Sequence, residues 1–454
     1  MDAFAVRQVK KMTGTLNEKI KSKKAVVCIV GAGYVGLPNA ILFAEKGFNV
    51  IAADVSERIV SLTNKGVSHI NDPVLNKSVP RVFATGRLKA MQDTAKAASE
   101  SDVIIVSVPT PAEEGEPDLT FVKNACASVA KGLRKGSLVV IESTVYPGAC
   151  RTVVKPLLEK ESGLKCGKDF FLAHCPERLN PGDNEHNVMV TPRVVGGVDE
   201  ESGAVAKTLY ESVVDAKIVL VSNADTAELS KLVENTQRDV NIAYMNEIAF
   251  VCEKIGVDVK EIIEACSTKW NFYKAKPSAG VGGHCLPNNP YYILKASQDK
   301  GFYPTLIMTA RKLNDSMPLH TVDLIANALK ECGLDVKGSA VAIMGVAYKE
   351  NVDDVRQAPS RVIVSELLKR GARVSICDPY VNDVNMRKVL DSGVPVEKAL
   401  DADCIVFLVP HDEFKKIKPA QIKAKAVVDA CFLFDRKDFK GKAYKRVGMD
   451  KNLE

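Results

Sequence analysis

An α/β chain with two doubly wound parallel sheets joined by a long central helix is predicted by three features of the sequence. Residues 25–54, "AVVCIVGAGYVGLPNAILFAEKGFNVIAAD", read as strand, glycine turn, helix and strand. The last third repeats the scheme: "SAVAIMGVAYK" (339–349) is a strand ending in a glycine, and "SRVIVSELLKRGARVSICDP" (360–379) is a helix, a glycine and a strand ending in an aspartate. Between them, "DTAELSKLVENTQRDVNIAYMNEIAFVCEKIG" (225–256) keeps a helical pattern without a break. Strands that alternate with helical segments build β–α–β units around parallel sheets.

The totals suit such a chain. Its 454 residues suffice for two or three domains. No apolar run reaches the eighteen or so residues that a membrane span needs. Residues 1–24 hold seven Lys/Arg against two Asp/Glu, so five of the six net positive charges lie there and +1 is left for the rest. That balance argues against an extended nucleic-acid surface. The basic N-terminal tail, residues 1–23, lacks the apolar core of a signal peptide. A cytoplasmic protein with a solvated, partly disordered leader is therefore expected. The twelve cysteines show no C-x-x-C and no Cys/His cluster at zinc-ligand spacing, so no metal is expected. Cys28, Cys377 and Cys404 sit in apolar runs and read as small hydrophobes. Cys285 does not fit that pattern.

In the first β–α–β unit, Gly31, Gly33 and Gly36 stand in G-x-G-x-x-G spacing. The first permits a tight turn, the second lets a pyrophosphate approach, and the third lets helix pack on strand. The helix N-terminus offers unpaired amides and a partial positive charge to phosphates. Asp54 falls 18 residues after Gly36, where a carboxylate accepts from ribose hydroxyls and repels a 2′-phosphate. NAD is thus favoured over NADP. A glycine turn without a ligand is the bland alternative, and the flanking strands and the acid weigh against it. Further strands are expected in "SDVIIVSVPTP" (101–111) and "SLVVIESTVYPG" (137–148). Ligands sit beyond the carboxyl ends of parallel strands. Tyr34, Val35, Arg58, Pro109, Thr110, Ser143 and Thr144 complete the expected cofactor-binding set.

On the central helix, Asp225 and Glu228 resemble a capping box and Gly256 ends the pattern. Glu228, Lys231, Asn235 and Arg238 share one face at 100° per residue. The rest is apolar nearly all round, so burial between domains or between subunits is expected. Lys231 reads either as surface decoration or as a pocket group, and spacing does not choose. In the C-terminal third Gly345 stands alone, and the insert "KENVDDVRQAPS" separates strand from helix. This Rossmann-like half has lost the dinucleotide fingerprint. Its Lys349 and Arg356 suit phosphate oxygens, unless the insert is a solvated charged loop.

"GVGGHCLPNNPYY" (280–292) sets Cys285 on a loop shaped by Gly280, Gly282, Gly283, Pro287 and Pro290. Beside a nicotinamide cofactor a thiol has a particular task. It adds to an aldehyde, the adduct gives up a second electron pair to become a thioester, and water releases an acid. That chemistry needs an oxyanion-stabilising pair, for which Lys231 and Asn235 are suited, and a base, for which Glu177 in "HCPERLNPGD" (174–183) is the best acid. His284 reads as a loop-fixing partner rather than the base.

With these motifs in order, the chain resembles a nucleotide-sugar 6-dehydrogenase of the UDP-glucose/GDP-mannose dehydrogenase family. The likeness spans roughly residues 24–440 through "GAGYVGL", "VPTP", "ESTVYPG", "CPERLNPG", "KLVENTQRDVNIAYMNE", "GVGGHCLPNNPYY" and "GVAYKENVDDVRQAPS". The resemblance implies oxidation of a sugar C6 alcohol to a carboxylate with two NAD. It implies two Rossmann-like domains and a homodimer or higher homo-oligomer formed through the central helix. The expected division is an NAD-binding domain over 24–215, a central region over 216–330 and a nucleotide-sugar domain over 331–454. The resemblance also implies Cys285 as nucleophile, Lys231 with Asn235 at the oxyanion, Glu177 as acid–base group and Thr144 as the residue orienting water. Arg178, Gly283, His284, Lys349 and Arg356 join Glu177, Lys231 and Asn235 in the implied substrate site.

One departure stands out, because the family usually has Asp four residues after the cysteine and this chain has Asn289. "PERLNPG" and "VNIAYMNEIA" look more like the branch that oxidises UDP-N-acetylhexosamines, which implies a place in polysaccharide biosynthesis. Mannosamine, glucosamine and galactosamine stay open, as do the UDP-glucose and GDP-mannose alternatives. Trp270, the only tryptophan, reads as a core aromatic or as a wall of the sugar pocket. The rivals are a two-electron alcohol or hydroxyacid dehydrogenase and a non-catalytic NAD-binding sensor, to which Asn289 lends the one foothold.

Overall fold

A computed structural model describes residues 3–70, 72–113, 115–178 and 189–449. The chain divides into two compact units, Met1–Glu234 with Tyr291–Phe302, and Asn235–Pro290 with Tyr303–Glu454.

In the first unit the strands are β1 (Val26–Val30), β2 (Asn49–Ala53), β3 (Leu88–Met91), β4 (Val103–Val106), β5 (Ala112–Glu113), β6 (Glu116–Pro117), β7 (Leu138–Ile141), β8 (Phe171–His174), β9 (Arg193–Gly197) and β10 (Ile218–Leu220). β5 and β6 form a small antiparallel hairpin, and the others make one sheet in the order β10-β9-β8-β7-β4-β1-β2-β3. Every pairing in it is parallel except β8 with β9. β4 and β7 are "VIIV" and "LVVI", buried at every position, as central strands covered on both faces must be. The order reverses between β1 and β4, which opens a crevice beyond their carboxyl ends.

The basic leader differs from expectation. Residues Ala3–Lys21 form a helix whose Val9, Leu16 and Ile20 are buried in the core of the first unit. These side chains recur at spacings of seven and four, one face of a helix, while the lysines point elsewhere. Apolar burial on that face outweighs the solvation of the charged one.

The second unit carries β11 (Ala340–Met344), β12 (Arg373–Cys377), β13 (Cys404–Phe407), β14 (Ala426–Asp429) and β15 (Ala443–Arg446), all parallel, in the order β12-β11-β13-β14-β15. The long helix runs Ala224–Ile255 and ends before Gly256, whose φ of 81° suits a residue without a Cβ. Its cap is Asn223, whose Oδ1 accepts from Thr226 N at 2.9 Å. The capping box expected of Asp225 and Glu228 is not formed; Asp225 pairs with Arg151 and Glu228 is buried, both within the first unit. Beyond residue 234 this helix is tied to helix Thr305–Glu331 by a buried Asp239–Arg311 ion pair and by Asn314, which donates to Asp239 O and Oδ1 at 2.9 Å. Asn246 extends the ladder, donating to Asn314 Oδ1 at 2.8 Å and accepting from Ser278 N at 2.9 Å. The stretch leading into the thiol loop is thereby anchored to the helix.

Candidate active site

The glycine turn after β1 has the shape a dinucleotide requires. Gly31 has φ 91°, and a Cβ there would lie 2.5 Å from Ser107 O. A Cβ on Gly36 would lie 1.7 Å from Gly31 O, so helix Gly36–Glu45 meets its strand only with glycine at that position. Around Gly33 nothing comes within 4 Å of where a Cβ would stand, which leaves room for a ligand. No side chain caps this helix, and its first amides face the turn. Asp54 Oδ2 accepts from Ala32 N at 2.8 Å and Oδ1 from Ser56 N at 2.9 Å. Each oxygen keeps a lone pair for a ribose hydroxyl. Tyr34 and Arg58 are exposed and Val35 half-buried. Beyond β4 and β7, Ser143 Oγ accepts from Val108 N and donates to Val108 O, both at 2.8 Å, stapling the two strand ends together. Thr110 and Thr144 are half-buried and Pro109 exposed, and Tyr292 donates to Thr110 O at 2.8 Å. The donor set and the open space fit NAD.

Glu177 lies half-buried after β8, and residues 179–183 of its loop lie outside the described residues. Its Oε1 accepts from Arg178 N at 2.7 Å. Its Oε2 lies 3.1 Å from Arg193 Nη2. Arg193 opens β9, is buried, and also reaches Glu142 Oε1 at 3.2 Å and Asn39 Oδ1 at 3.1 Å. Glu142 receives Asn39 Nδ2 at 2.6 Å and Tyr210 O–H at 2.7 Å. Burial and the charge of Glu177 push the Glu142 carboxyl up to about 7, against the pull of Arg193. Arg178 forks onto Glu234 at 3.1 and 2.5 Å and donates to Pro192 O at 2.8 Å.

Glu228, one turn before Lys231 on the central helix, accepts from Gly148 N at 2.5 Å and Cys150 N at 2.8 Å. It clamps the turn that follows Thr144 onto that helix. Cys150, His174 and Glu228 bring ligand-type atoms within 4.8 Å of one another. Burial lowers His174 to about 3, so it is neutral, and burial with Glu228 holds the Cys150 thiol well above its usual range. Both Glu228 oxygens are engaged by backbone amides, which marks the cluster as a buried clamp. Lys231 is itself buried, with 8% of its surface exposed, which removes the surface-decoration reading.

In the second unit the thiol loop is held by the insert after β11. Gly283 N donates to Arg356 O at 2.9 Å, and Gln357 donates to Asn288 Oδ1 at 3.2 Å. A Cβ on Gly282 would stand 2.8 Å from Tyr348 Cβ and 2.9 Å from Gln357 O, so the two segments touch backbone to backbone. The insert is therefore a packed brace and not a solvated loop. Cys285 is half-buried, and its carbonyl accepts from Asn289 N at 3.0 Å. The Tyr348 phenol is pushed up to about 12 by burial, then by the charge of Asp354 and by Cys285. Asn235 is oriented from both ends. Its Nδ2 donates to Asn289 Oδ1 at 2.6 Å, and its Oδ1 accepts from Arg238 at 2.8 Å. Asn289 thus holds the oxyanion candidate through a neutral amide. His284 is exposed, and Arg356 forks onto Asp354 at 3.0 and 2.5 Å. Trp270 is 93% exposed, which overturns its reading as a core aromatic.

Beyond the carboxyl ends of β11, β13 and β14 lies a cavity of about 250 Å³, lined among others by Lys276, Ser278, Lys349, Ser360 and Phe432. Lys276, Ser278 and Phe432 were not singled out in the sequence, although the rule that placed the cofactor beyond strand ends applies equally to the second sheet. Asn39, Glu142, Arg193 and Tyr210 were missed as well. A charged residue opening or directly following an apolar strand, as Arg193 and Glu142 do, was the available signal.

These features define an NAD-dependent dehydrogenase. The chain belongs to the UDP-glucose/GDP-mannose dehydrogenase family: its NAD-binding-domain model matches residues 25–214, its central-domain model 225–316 and its UDP-binding-domain model 342–440. It is an NAD-dependent nucleotide-sugar dehydrogenase. Among curated relatives, a UDP-N-acetyl-D-mannosamine dehydrogenase of Methanocaldococcus jannaschii is 40% identical over 87% of this chain and 88% of its own length. A UDP-N-acetyl-D-glucosamine 6-dehydrogenase of Pseudomonas aeruginosa is 36% identical over 88% of this chain and 94% of its own length. The solved structure of a UDP-N-acetylmannosamine dehydrogenase from Pyrococcus horikoshii superposes with a TM-score of 0.87 at 35% identity, covering 93% of this chain and 99% of that one.

Proposed function

We propose that the protein oxidises the C6 alcohol of a UDP-N-acetylhexosamine to the uronic acid through a covalent adduct on Cys285. The carrying observation is the braced thiol loop, a half-buried cysteine on a backbone held to the insert at Gly282 and Gly283. A structural cysteine needs no such brace. The names of the relatives above support the N-acetylhexosamine.

NAD bound at the glycine turn supplies the acceptor for each of two two-electron oxidations. After the first, the Cys285 thiolate adds to the C6 aldehyde and forms a C–S bond. Lys231 and Asn235, both buried and one turn apart on one helix, hold the resulting oxyanion. After the second oxidation the carbon is a thioester. Thr144 orients a water, Glu177 takes its proton as the oxygen adds, and the C–S bond breaks with its electron pair returning to Cys285. Gly283, His284, Arg178, Lys349 and Arg356 serve substrate binding. The cavity beside Lys349 suits the nucleotide, with Lys276 and Lys349 for phosphate oxygens.

The reading extends to assembly and place. Leu229, Val233, Tyr244, Val251 and Ile255 are exposed at spacings of four, eleven, seven and four, an apolar stripe along the long helix. This supports a homodimer formed through it. Among the described residues no helix is long and apolar enough to cross a membrane, and no cysteine forms a disulfide. The proposed reaction is placed in the cytoplasm, where nucleotide sugars are prepared for polysaccharide synthesis. The test is NADH formation with UDP-N-acetyl-mannosamine, -glucosamine and -galactosamine beside UDP-glucose and GDP-mannose. One of the first three is expected to exceed the last two by at least about tenfold in kcat/KM, a discrimination of roughly 1.4 kcal/mol or more. Preference for UDP-glucose or GDP-mannose would reject the N-acetylhexosamine.

A further inference from the structure

Glu142 occupies a position that the chemistry above does not explain. It directly follows β7, a wholly apolar strand, and runs into Ser143 and Thr144. A buried carboxylate there is costly unless it is paired and hydrogen-bonded. It is both, and its ionic partner is shared. Arg193 reaches Glu142 Oε1 through one nitrogen at 3.2 Å and Glu177 Oε2 through the other at 3.1 Å. Asn39 repeats the bridge, its Nδ2 lying 2.6 Å from Glu142 Oε2 and 3.4 Å from Glu177 Oε2.

Counting these three side chains alone, two carboxylates on one guanidinium carry a net charge of −1, and each side chain is at most a tenth exposed. One added proton makes the group neutral, and burial favours that state. The other groups facing Glu142 do not supply it. Tyr210 is a buried phenol held well above its usual range by burial and neighbouring negative groups, and its O–H donates. The Cys175 thiol is pushed up to about 12 by burial, and Asn39 does not titrate. Of the groups named, the two carboxyls are the ones that share the proton.

We propose that Glu142 is a positioning residue for the hydrolytic step: it shares one proton with Glu177 across Arg193, and its charge sets whether Glu177 stands ready as a base. The inference rests on the reading of Glu177 as the acid–base group. A proton taken from water by Glu177 is accommodated because Glu142 then keeps Arg193 as a fully ionised partner. When the proton moves to Glu142, Arg193 serves Glu177 alone and restores its carboxylate. Like charges in one site titrate as a pair, with protons lost in two joint steps.

The test is the pH dependence of thioester hydrolysis, read by intact-mass spectrometry as decay of the covalent adduct in a single turnover. In Glu142→Gln the competing charge is gone and Arg193 favours an ionised Glu177. The acidic limb is expected to move down by about one pH unit or more. Tyr210→Phe removes a hydrogen bond to the Glu142 carboxylate, so Glu142 takes the proton more readily. The limb should move the same way by less, and this milder variant decides the matter if Glu142→Gln fails to fold. A limb unmoved or moved upward in a folded variant, with the rate merely scaled, makes Glu142 structural and overturns the inference. Glu177→Gln run alongside separates the two claims. Normal hydrolysis in it removes Glu177 from the mechanism, whereas accumulated adduct with an unmoved limb in the Glu142 and Tyr210 variants sinks only the shared proton.

Discussion

In the proposed function Asp54 sets the choice of cofactor through its two carboxylate oxygens. Each already accepts one backbone amide, which fixes the side chain at the end of β2 with its remaining lone pairs toward the crevice. A hydrogen bond to a charged acceptor contributes about 1.5–3 kcal/mol, so Asp54→Ala is expected to weaken NAD roughly 10–100-fold. NADP, relieved of the repelling carboxylate, should bind no more weakly than before, and the gap between the cofactors should narrow in a fluorescence titration. Equal use of both by the wild type would contradict this role. Asp54 was legible because one strand, one turn and a count of residues place it. Lys231 was not. Its spacing allowed two readings, and only burial by residues distant in the chain separates them. Asn289 was legible as a departure but not in its consequence, the amide-to-amide contact that orients Asn235.

The strands were readable because those covered on both faces are short, nearly continuous apolar runs bounded by turn residues. The leader helix was hidden because seven basic residues dominate the composition of residues 1–24, while the three side chains that bury it are spread over twelve positions. At this scale the long helix is held in the second unit by a polar ladder, with Arg311 and Asp239 at its centre, both almost wholly buried. Burial raises the Asp239 carboxyl, and Arg311 and Asn314 oppose that shift. Arg311→Met leaves Asp239 buried without its cation and is expected to cost about 3–5 kcal/mol in urea unfolding. A loss below about 1 kcal/mol would place this pair with ordinary surface ion pairs. No sequence pattern announces the ladder, since its members lie about seventy residues apart and on different helices.

In the whole molecule one scheme appears twice with different outcomes. Asp378 ends β12 as Asp54 ends β2, yet it is buried and saturated. Its Oδ2 accepts from Val346 N at 2.8 Å, Ala347 N at 3.0 Å and His411 Nε2 at 3.0 Å. Burial would raise its carboxyl, but His411 and the two amides hold it below the usual range. An acid so engaged has nothing left for a ribose. The second sheet instead opens a lysine-lined cavity beyond β11, β13 and β14. The doubling of the scheme was legible in the sequence, and the loss of the fingerprint was visible in the lone Gly345. The saturation of Asp378 by a histidine 33 residues away was not. Alcohol to carboxylate is a four-electron change, so the central claim reduces to a count. With a limiting UDP-N-acetylhexosamine and excess NAD, the wild type should form two NADH per sugar consumed, and Cys285→Ser should form no uronic acid while still binding both ligands. One NADH per sugar from the wild type, or uronic acid from Cys285→Ser at a comparable rate, would show that the thiol takes no part.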